Sequence, residues 1–474
     1  MRILDSNYEF IESIPRKSKF AYGALSGTSG VLSGIAFSAI TFYYNVKLGL
    51  SAELIGIAWL LFAIWNTLND PIFGYLEDRT KSEKYGRRIP YIRFGAPIFG
   101  ILFILCWFPL VDRNNELGLF LNLLIVLLLF DTIYTIIGLI NFSLPAEMGI
   151  TQKARADIVA YGAIFGSLGF IFAFILPVYL LTGDRSANIN PLFLITMIII
   201  GIICSIIIFT SSFFLKENLY TQLEEPLGLI DSIKETLKNK PFLKYEFSNF
   251  SFLLAQTIFT TGIFYYIDFV LGLSGFLTIL PLILVFSMVF IFTPIFSKIA
   301  GKYGLKKVYI FGLIFTGTIS IIIFFLGWSL TTVIVPFLLL GIGFSALILL
   351  RPAIAADIID FDETRTGKRR ETTYAGMNAV IEKPAVSIAN WVFLFVITYF
   401  GFQQNTRTQS INTQIGIMIA FTLIPAAFVL FSAVVIFFYP LDGPEWIQQK
   451  LNLSKIHEEK EKNYIQYLKE KGKI

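Results

Sequence analysis

The chain has 474 residues, of which 55% are hydrophobic and only 15% are charged. A water-soluble domain needs a polar exterior and carries roughly a quarter charged residues. Most of the surface of this chain must therefore face lipid. The net charge of +5 is too small and too scattered for a nucleic-acid-binding surface, so we expect the bilayer and a small solute as partners, and no nucleic acid.

Cysteine and histidine are too sparse for metal or acid–base chemistry. Cys106 and Cys204 each lie inside an apolar run, and the single histidine, His457, lies in a charged tail. Zinc sites and His-based catalysis need clusters of such residues. The sequence therefore predicts no enzyme, no cofactor and no metal ligand set other than one suited to Na⁺.

Twelve apolar runs are each long enough to cross a bilayer, which takes about 20 mostly apolar residues in a helix. They lie at 20–46, 52–76, 90–111, 117–145, 157–181, 191–215, 245–271, 276–299, 307–327, 331–356, 374–401 and 414–439. We predict an all-α membrane protein with twelve transmembrane helices. Its parts are an N-terminus (1–19), two six-helix bundles (20–215 and 245–440), a linker (216–244) and a tail (441–474), which we read as a solvated helix or a disordered end.

Lysine and arginine set the expected orientation. With both termini in the cytoplasm, only Lys47, Arg113, Arg185 and Arg407 fall outside. The opposite orientation inverts that bias, which contradicts the rule that basic loops face inward. We therefore predict a multi-pass cell-membrane protein with both termini, the linker and the tail in the cytoplasm.

An internal repeat relates the two bundles. The segment KYGRRIPYI at 84–92 recurs loosely as KYGLKKVYI at 302–310, each time between the second and third span of its own half. Such repeats are typical of two-domain secondary transporters, in which the solute path lies between the halves near the midplane.

Two motifs carry a family resemblance. GYLEDRT at 74–80, followed by Gly86-Arg87-Arg88, resembles a loop signature of the major facilitator superfamily. ADIIDFDETRTGKRRE at 356–371, with Tyr374, Gly376 and Lys383 behind it, is similar to a block of the glycoside–pentoside–hexuronide:cation symporters, the family of the melibiose permease.

Shorter matches extend this resemblance over most of the chain. WNTLNDP at 65–71 and Tyr134-Thr135-Ile136 resemble the second and fourth spans of that family, and the likeness runs from Tyr22 to about Pro440. It implies the major facilitator fold, built from two six-helix bundles, and cation-coupled transport.

Asp70 is the first candidate for cation binding. A carboxylate at membrane depth is costly unless it is neutralised and is functional by default, although an Asp beside Pro71 could instead cap or pair at a helix end. Asn66, Asn69 and Asp70, at i, i+3 and i+4, project from one helix face. The resemblance implies that these three and Thr135 form the cation site.

The coupling ion stays open between H⁺ and Na⁺. Asn66 stands where the family pattern has a second Asp, and an amide adds no charge and takes up no proton. This difference slightly favours H⁺ coupling through Asp70 over Na⁺ coupling.

Lys383 matches the intramembrane lysine of the family. A buried ammonium needs a carboxylate partner, and Asp70 is the natural one once the halves close together. The alternative is a lysine that reaches the surface from a helix end, with Glu382 as a solvated neighbour.

The resemblance fails at the expected solute contacts. The melibiose permease pattern has acidic residues on spans one and four and an arginine on span five, where this chain has Gly30, Gly138 and Ala163. Arg351 either binds an anionic solute such as a sugar acid, pairs with a neighbouring acid (Asp131 first), or reaches the cytoplasm. The candidates for solute contacts are Arg351, Asp131, Asp268, Tyr44, Asn141 and Gln256.

Charged residues near the cytoplasmic face are candidates for gating. Pairs that form and break between the halves suit alternating access, while the alternative is solvated loop charge. The candidates are Asp78, Arg79, Arg87 and Arg88 in the first half, and Asp357, Asp360, Asp362, Arg369 and Arg370 in the second.

These observations favour a monomeric secondary transporter that couples a sugar, glycoside or sugar acid to a cation. Because the sequence contains no phosphate-binding P-loop, the energy must come from a gradient. The alternative is a lipid-like solute, as in the sodium-dependent lysophosphatidylcholine symporter, which this architecture also resembles; the missing sugar-binding charges and the 49 phenylalanines favour it. A membrane enzyme lacks a catalytic cluster, and Asp70 and Lys383 argue against a sensor or scaffold.

Overall fold

A computed structural model describes residues 14–79, 88–149, 152–184, 189–216, 236–367, 370–404, 406 and 408–470, which contain helices and turns but no strand. The helices are α1 (Arg16–Phe42), α2 (Ala52–Arg79), α3 (Ile89–Leu105), α4 (Glu116–Met148), α5 (Gln152–Leu181), α6 (Pro191–Ser211), α7 (Lys240–Tyr265), α8 (Leu280–Tyr303), α9 (Leu305–Leu326), α10 (Leu330–Thr366), α11 (Glu371–Tyr399), α12 (Ile411–Phe437) and α13 (Pro444–Glu470). Short π-helical turns continue α1 over Tyr43–Lys47 and α7 over Tyr266–Leu271, and a third lies within α12 at Ile419–Leu423.

The first twelve helices are the twelve predicted spans. Eleven are long and apolar enough to cross a bilayer, and α3 is a shorter apolar helix of 17 residues. The run expected at 90–111 stops being helical at Leu105, because the chain turns at Cys106 and Trp107. Trp107 is fully buried, and its carbonyl accepts a hydrogen bond from the Tyr43 hydroxyl at 2.6 Å.

Some helices extend beyond their apolar part. The apolar run of span ten was predicted at 331–356, but α10 continues through the motif at 356–371 as far as Thr366 and ends at Gly367, which has a φ of 69°. Hydropathy locates only the part of a helix in lipid, whereas a helix can continue into water when its polar side chains find partners there.

The two bundles repeat the same packing. In the first, α1 packs on α5, α2 on α4 and α3 on α6; in the second, α7 packs on α11, α8 on α10 and α9 on α12. Each pair recurs six helices later, as a duplicated bundle requires. The most extensive packing between the bundles joins α2 to α11.

Glycines let helices of one bundle cross closely. A Cβ atom at Gly169 on α5 would lie 2.4 Å from the carbonyl oxygen of Gly27 on α1, and one at Gly341 on α10 would lie 2.3 Å from that of Val285 on α8. Small residues at such crossings bring the backbones together where lipid supplies no hydrophobic driving force.

We name the two ends of the molecule after the parts of the chain that lie there. The end where α1 begins and α12 finishes is the terminal end, and the end where α1 turns into α2 is the loop end. At the loop end, Phe-Tyr-Tyr occurs twice, at 42–44 on α1 and 264–266 on α7. Tyr43, the first tyrosine of its copy, donates to the Trp107 carbonyl, and Tyr266, the second tyrosine of its copy, donates to the Gly327 carbonyl, both at 2.6 Å. Each bundle therefore holds its copy at the loop end through a different tyrosine.

The tail helix α13 is attached to α10 at its start. Trp446 Nε1 donates to Asp357 Oδ2 at 2.9 Å, and Lys450 Nζ contacts Asp357 Oδ1 at 2.6 Å. The expectation of a wholly solvated or disordered tail was therefore wrong for its first turns, because Asp357 supplies a buried partner for them.

Candidate functional site

Three helices from both bundles bring a polar cluster together at membrane depth. The ammonium of Lys383, on α11, donates to Asp70 Oδ1 at 2.6 Å and Asn69 Oδ1 at 2.9 Å on α2, and to Thr135 Oγ1 at 2.8 Å on α4. An ammonium has three donors, and here all three are used. Lys383 thus lies against three of the four residues predicted to bind a cation.

Asp131 belongs to this same cluster. Asn69 Nδ2 donates to Asp131 and also to Thr135 Oγ1, the latter at 3.0 Å. Asp131 is 1% exposed and lies one turn before Thr135 on α4. The alternative in which Asp131 pairs with Arg351 is not observed, because Arg351 pairs with Glu382 and Asp131 with Asn69. The i, i+4 spacing of Asp131 and Thr135 on α4 was the signal for this placement.

Asn66, the fourth predicted residue, is 4% exposed, and its Oδ1 has no hydrogen-bond partner among the described residues. It lies one turn from Asp70 on the same face of α2. The cluster therefore offers oxygens from Asp70, Asp131, Asn66, Asn69 and Thr135. With both carboxylates ionised, the Lys383 ammonium leaves one negative charge uncompensated.

A proline directly follows each member of the central ion pair. Pro71 succeeds Asp70 in α2, and Pro384 succeeds Lys383 in α11. Because proline has no N–H, the helix loses the hydrogen bond to the carbonyl four residues earlier and can bend there. Both charged residues thus lie where their helices are most easily deformed.

Arg351 forms a second charged pair entirely within the second bundle. Its Nη2 lies 3.0 Å from Glu382 Oε1, which also accepts a hydrogen bond from Asn249. Phe252 lies below the guanidinium, 5.4 Å from ring centroid to Cζ. The interpretation of Glu382 as a solvated neighbour of Lys383 was therefore wrong: consecutive residues of a helix point about 100° apart, so the two reach different partners.

The other predicted solute contacts have mixed surroundings. Buried Asp268 accepts from the Gly183 N–H at 2.6 Å, and buried Tyr44 accepts from Asn122 at 2.7 Å. Asn141 accepts from Ser26 at 2.9 Å. Gln256 is half-buried on α7. Asp268 and Tyr44 are thus used in packing at the loop end, which argues against solute contacts for both.

Open space lies where the family pattern places charged residues. A Cβ atom at Gly138 on α4 would meet no atom within 4 Å, and one at Gly30 on α1 would meet only the Gly166 carbonyl oxygen, at 3.9 Å. The first bundle therefore presents small residues around this space.

Arg88, Asp362 and Arg370 each form an ion pair inside their own bundle. Arg88 pairs with Glu147 at 2.9 Å, and Asp362 pairs with Arg370 at 2.6 Å and with Arg365 at 3.0 Å. Asp357 contacts the tail, and Asp360 is half-buried on α10. The side chains of Asp78 and Arg79, and all of Arg87 and Arg369, lie outside the described residues. Pairing across the two bundles stays a prediction.

Contacts between the bundles close the loop end. The Tyr265 hydroxyl donates to Asn45 Oδ1 at 3.0 Å, and the Gly183 N–H donates to Asp268. Somewhat deeper, the Thr41 hydroxyl donates to Asn390 Oδ1 at 2.8 Å. These partners are far apart in sequence, so no local spacing predicted them.

Comparison with known proteins agrees with this architecture. A family model described as MFS/sugar transport protein matches residues 21–443. The chain is 23% identical over 404 residues to the glucuronide carrier protein homolog of Escherichia coli, covering 84% of this chain and 87% of that protein. It is 22% identical over 444 residues to the isoprimeverose transporter of Lactiplantibacillus pentosus, covering 91% and 90%.

Solved structures share the fold at low identity. A D-xylose–proton symporter superposes with a TM-score of 0.62 at 14% identity, over 89% of this chain and 97% of that one. A bacterial homolog of the human lysosomal transporter Spinster, inward-facing and unoccupied, superposes with a TM-score of 0.64 at 13% identity, over 91% and 100%.

Proposed function

The chain belongs to the family of MFS/sugar transport proteins, and from that premise we propose that it carries a sugar, glycoside or sugar acid across the cell membrane together with a cation. It is a multi-pass membrane transporter and not an enzyme. The observation that carries the proposal is the position of the Lys383 ammonium, which binds to Asp70, Asn69 and Thr135 of the other bundle.

An incoming cation competes with this ammonium for the same oxygens. When a cation neutralises Asp70, Lys383 loses its main partner, and α11 is released from α2 at the prolines beside the pair. Cation binding then changes the relative stability of two arrangements of the bundles, which is what coupling requires. This exchange links the ion to alternating access.

The ligand set supports Na⁺ as the coupling ion. Hard cations bind oxygen ligands. The Asn66 oxygen, which has no hydrogen-bond partner in the described part of the chain, and the Asp131 carboxylate supplement the Asp70, Asn69 and Thr135 oxygens. The preference for H⁺ rested on the missing acid at Asn66. Asp131 supplies a second carboxylate from α4, so we propose that Na⁺ binds here.

The solute site is proposed between the bundles, beside the open space at Gly30 and Gly138. Arg351 and Glu382, each about one-fifth exposed, offer a donor and an acceptor suited to hydroxyl groups. The relatives' names favour sugar-type solutes over the lysolipid alternative. We place the terminal end in the cytoplasm, so that the closed loop end faces outward in a monomeric transporter.

Uptake into proteoliposomes tests this function. Labelled D-xylose, a glucuronide, a disaccharide and lysophosphatidylcholine are offered under imposed Na⁺ or pH gradients. We expect an inward Na⁺ gradient to drive accumulation of one of the sugars. Asp70→Asn and Asp131→Asn should reduce this accumulation, while Asp112→Asn, at an exposed position between α3 and α4, should not.

Other results of the same assay contradict parts of the proposal. Accumulation driven by a pH gradient and indifferent to Na⁺ contradicts the assigned ion. Accumulation of lysophosphatidylcholine alone contradicts the solute class. Wild-type accumulation in Asp70→Asn contradicts the site.

A further inference from the structure

Glu246 is an acidic residue of α7 that the proposed mechanism does not use. It lies in the seventh position of the helix, within the membrane-crossing segment Lys240–Leu271, and is 2% exposed. Neither of its carboxylate oxygens completes a hydrogen bond with a described residue; the neighbouring Asn249 amide interacts with Glu246 but donates to Glu382 and Asn378. An ionised carboxylate buried in a membrane-crossing segment loses its hydration, and without a partner nothing offsets that loss.

The groups around Glu246 do not neutralise it. The cation that acts on it is Arg351 on α10, but Arg351 is paired with Glu382 on α11, and Glu382 adds a repelling charge. Two phenols also lie against this group: Tyr245 on α7 interacts with Glu246, and Tyr309 on α9 interacts with Arg351 and Glu382. Asp357 lies further off, beside Tyr439, and is held by Trp446 and Lys450. Lys244 points away, to the Phe438 carbonyl at 2.7 Å.

We propose that Glu246 is a proton-binding site of the second bundle, which holds its carboxyl group protonated at neutral pH. With one proton on Glu246, the three charged or ionisable groups Glu246, Glu382 and Arg351 carry no net charge. Without that proton they carry one buried negative charge. The site takes a proton and not a metal ion, because its other acid, Glu382, is already held by Arg351 and Asn249.

Arg351 connects this proton to the rest of the molecule. Its Nε is buried and unpartnered among the described residues, so it has a donor available for a second carboxylate. When Glu246 loses its proton, it competes with Glu382 for the guanidinium. Glu382 is joined through one peptide bond to Lys383, so this competition reaches the pair with Asp70; that last consequence rests on the proposed function.

Infrared difference spectroscopy of the purified full-length protein tests the site without solute or gradient. We expect the wild-type minus Glu246→Gln spectrum at neutral pH to contain the carbonyl stretch of a protonated carboxyl group. Glu53→Gln, an exposed acid in the first turn of α2, should leave that band unchanged. Gln matches the shape and neutrality of protonated Glu, so the variant should fold normally.

A second variant tests the role of Arg351. In Glu382→Gln the guanidinium is released to pair with Glu246, so the protonated-carboxyl band of Glu246 should be lost at neutral pH. The proposal is overturned if the wild-type minus Glu246→Gln spectrum lacks the band, or if the band persists in Glu382→Gln. Because neither spectrum depends on transport, failure of the uptake experiments leaves this result unaffected, and the reverse also holds.

Discussion

The side chain of Lys383 acts as an internal cation, because its ammonium contacts the oxygens that an external ion needs. Removing it should therefore strengthen Na⁺ binding while abolishing coupling. We expect Lys383→Gln to raise Na⁺ affinity by about tenfold, equivalent to 1.4 kcal/mol, and to abolish gradient-driven accumulation. Thermal stabilisation by Na⁺, titrated in detergent, measures the affinity. Lys306→Gln, at the terminal end of α9, is the control; equal or weaker Na⁺ affinity in Lys383→Gln contradicts competition.

The pair between Arg351 and Glu382 makes a separate prediction. Arg351→Gln leaves Glu382 without its charged partner, and we expect a loss of about 1–3 kcal/mol, below the value for a fully buried pair because both side chains are partly exposed. Glu382→Gln in the same chain should restore part of that loss. The melting temperatures of the two single variants and the double variant measure this. If Arg351→Gln melts normally but binds the solute more weakly, Arg351 is a solute ligand and not a structural partner.

Sequence reasoning at the scale of single residues identified charged residues more readily than their partners. Asp70 and Lys383 are recognisable because a charge inside an apolar run is costly. The contact between Asp131 and Asn69 joins two helices, and the only signal for it was the spacing that puts Asp131 on the same face of α4 as Thr135. The partner of Glu382 was missed because Glu382 and Lys383 point in different directions from α11. The position of Lys383 therefore does not predict what Glu382 contacts.

At the scale of helices, the crossing of α1 and α5 depends on glycine. Gly169→Ala places a methyl group 2.4 Å from the Gly27 carbonyl oxygen, a contact with backbone that cannot move aside. We expect a loss of about 1–3 kcal/mol, the usual cost of overpacking. Gly166→Ala on the same helix is the matched control, because its Cβ atom would meet nothing within 4 Å. Thermal unfolding of both variants measures the difference, and equal melting contradicts the packing described.

Hydropathy predicted the number of spans but not the ends of the helices. It identified twelve apolar segments correctly, since insertion into lipid depends on those segments alone. It could not foresee that α3 would stop at Leu105 or that α10 would run on to Thr366. Those limits depend on tertiary partners: the buried Trp107 in one case and the ion pairs of Asp362 in the other.

For the whole molecule, the loop-end contacts should set the balance between closed and open states. Tyr265→Phe removes the hydrogen bond to Asn45 between the bundles, worth about 0.5–1.5 kcal/mol. We expect it to shift the population towards a state that is open at the loop end. Tyr266→Phe is the control, because that hydroxyl bonds to Gly327 within its own bundle.

Spin labels measure this shift. Cysteines introduced at Asn114 and Thr331, exposed positions at the loop ends of the two bundles, carry the labels. The fraction of molecules with a long distance between the two labels should increase in Tyr265→Phe and not in Tyr266→Phe. An equal shift in both variants, or in neither, contradicts a role for the contact between Tyr265 and Asn45.

The attachment of α13 to Asp357 couples the tail helix to the movement of the second bundle. Its 27 residues span about 40 Å at the rise of an α-helix, and its fixed end lies on the second bundle. A tilt of that bundle by a few degrees about an axis perpendicular to α13 therefore displaces the far end of the helix by a few ångströms relative to its attached end. A fluorophore attached at the far end of α13 should therefore report rocking of the second bundle. A bulky fusion partner attached at the same position should slow that rocking.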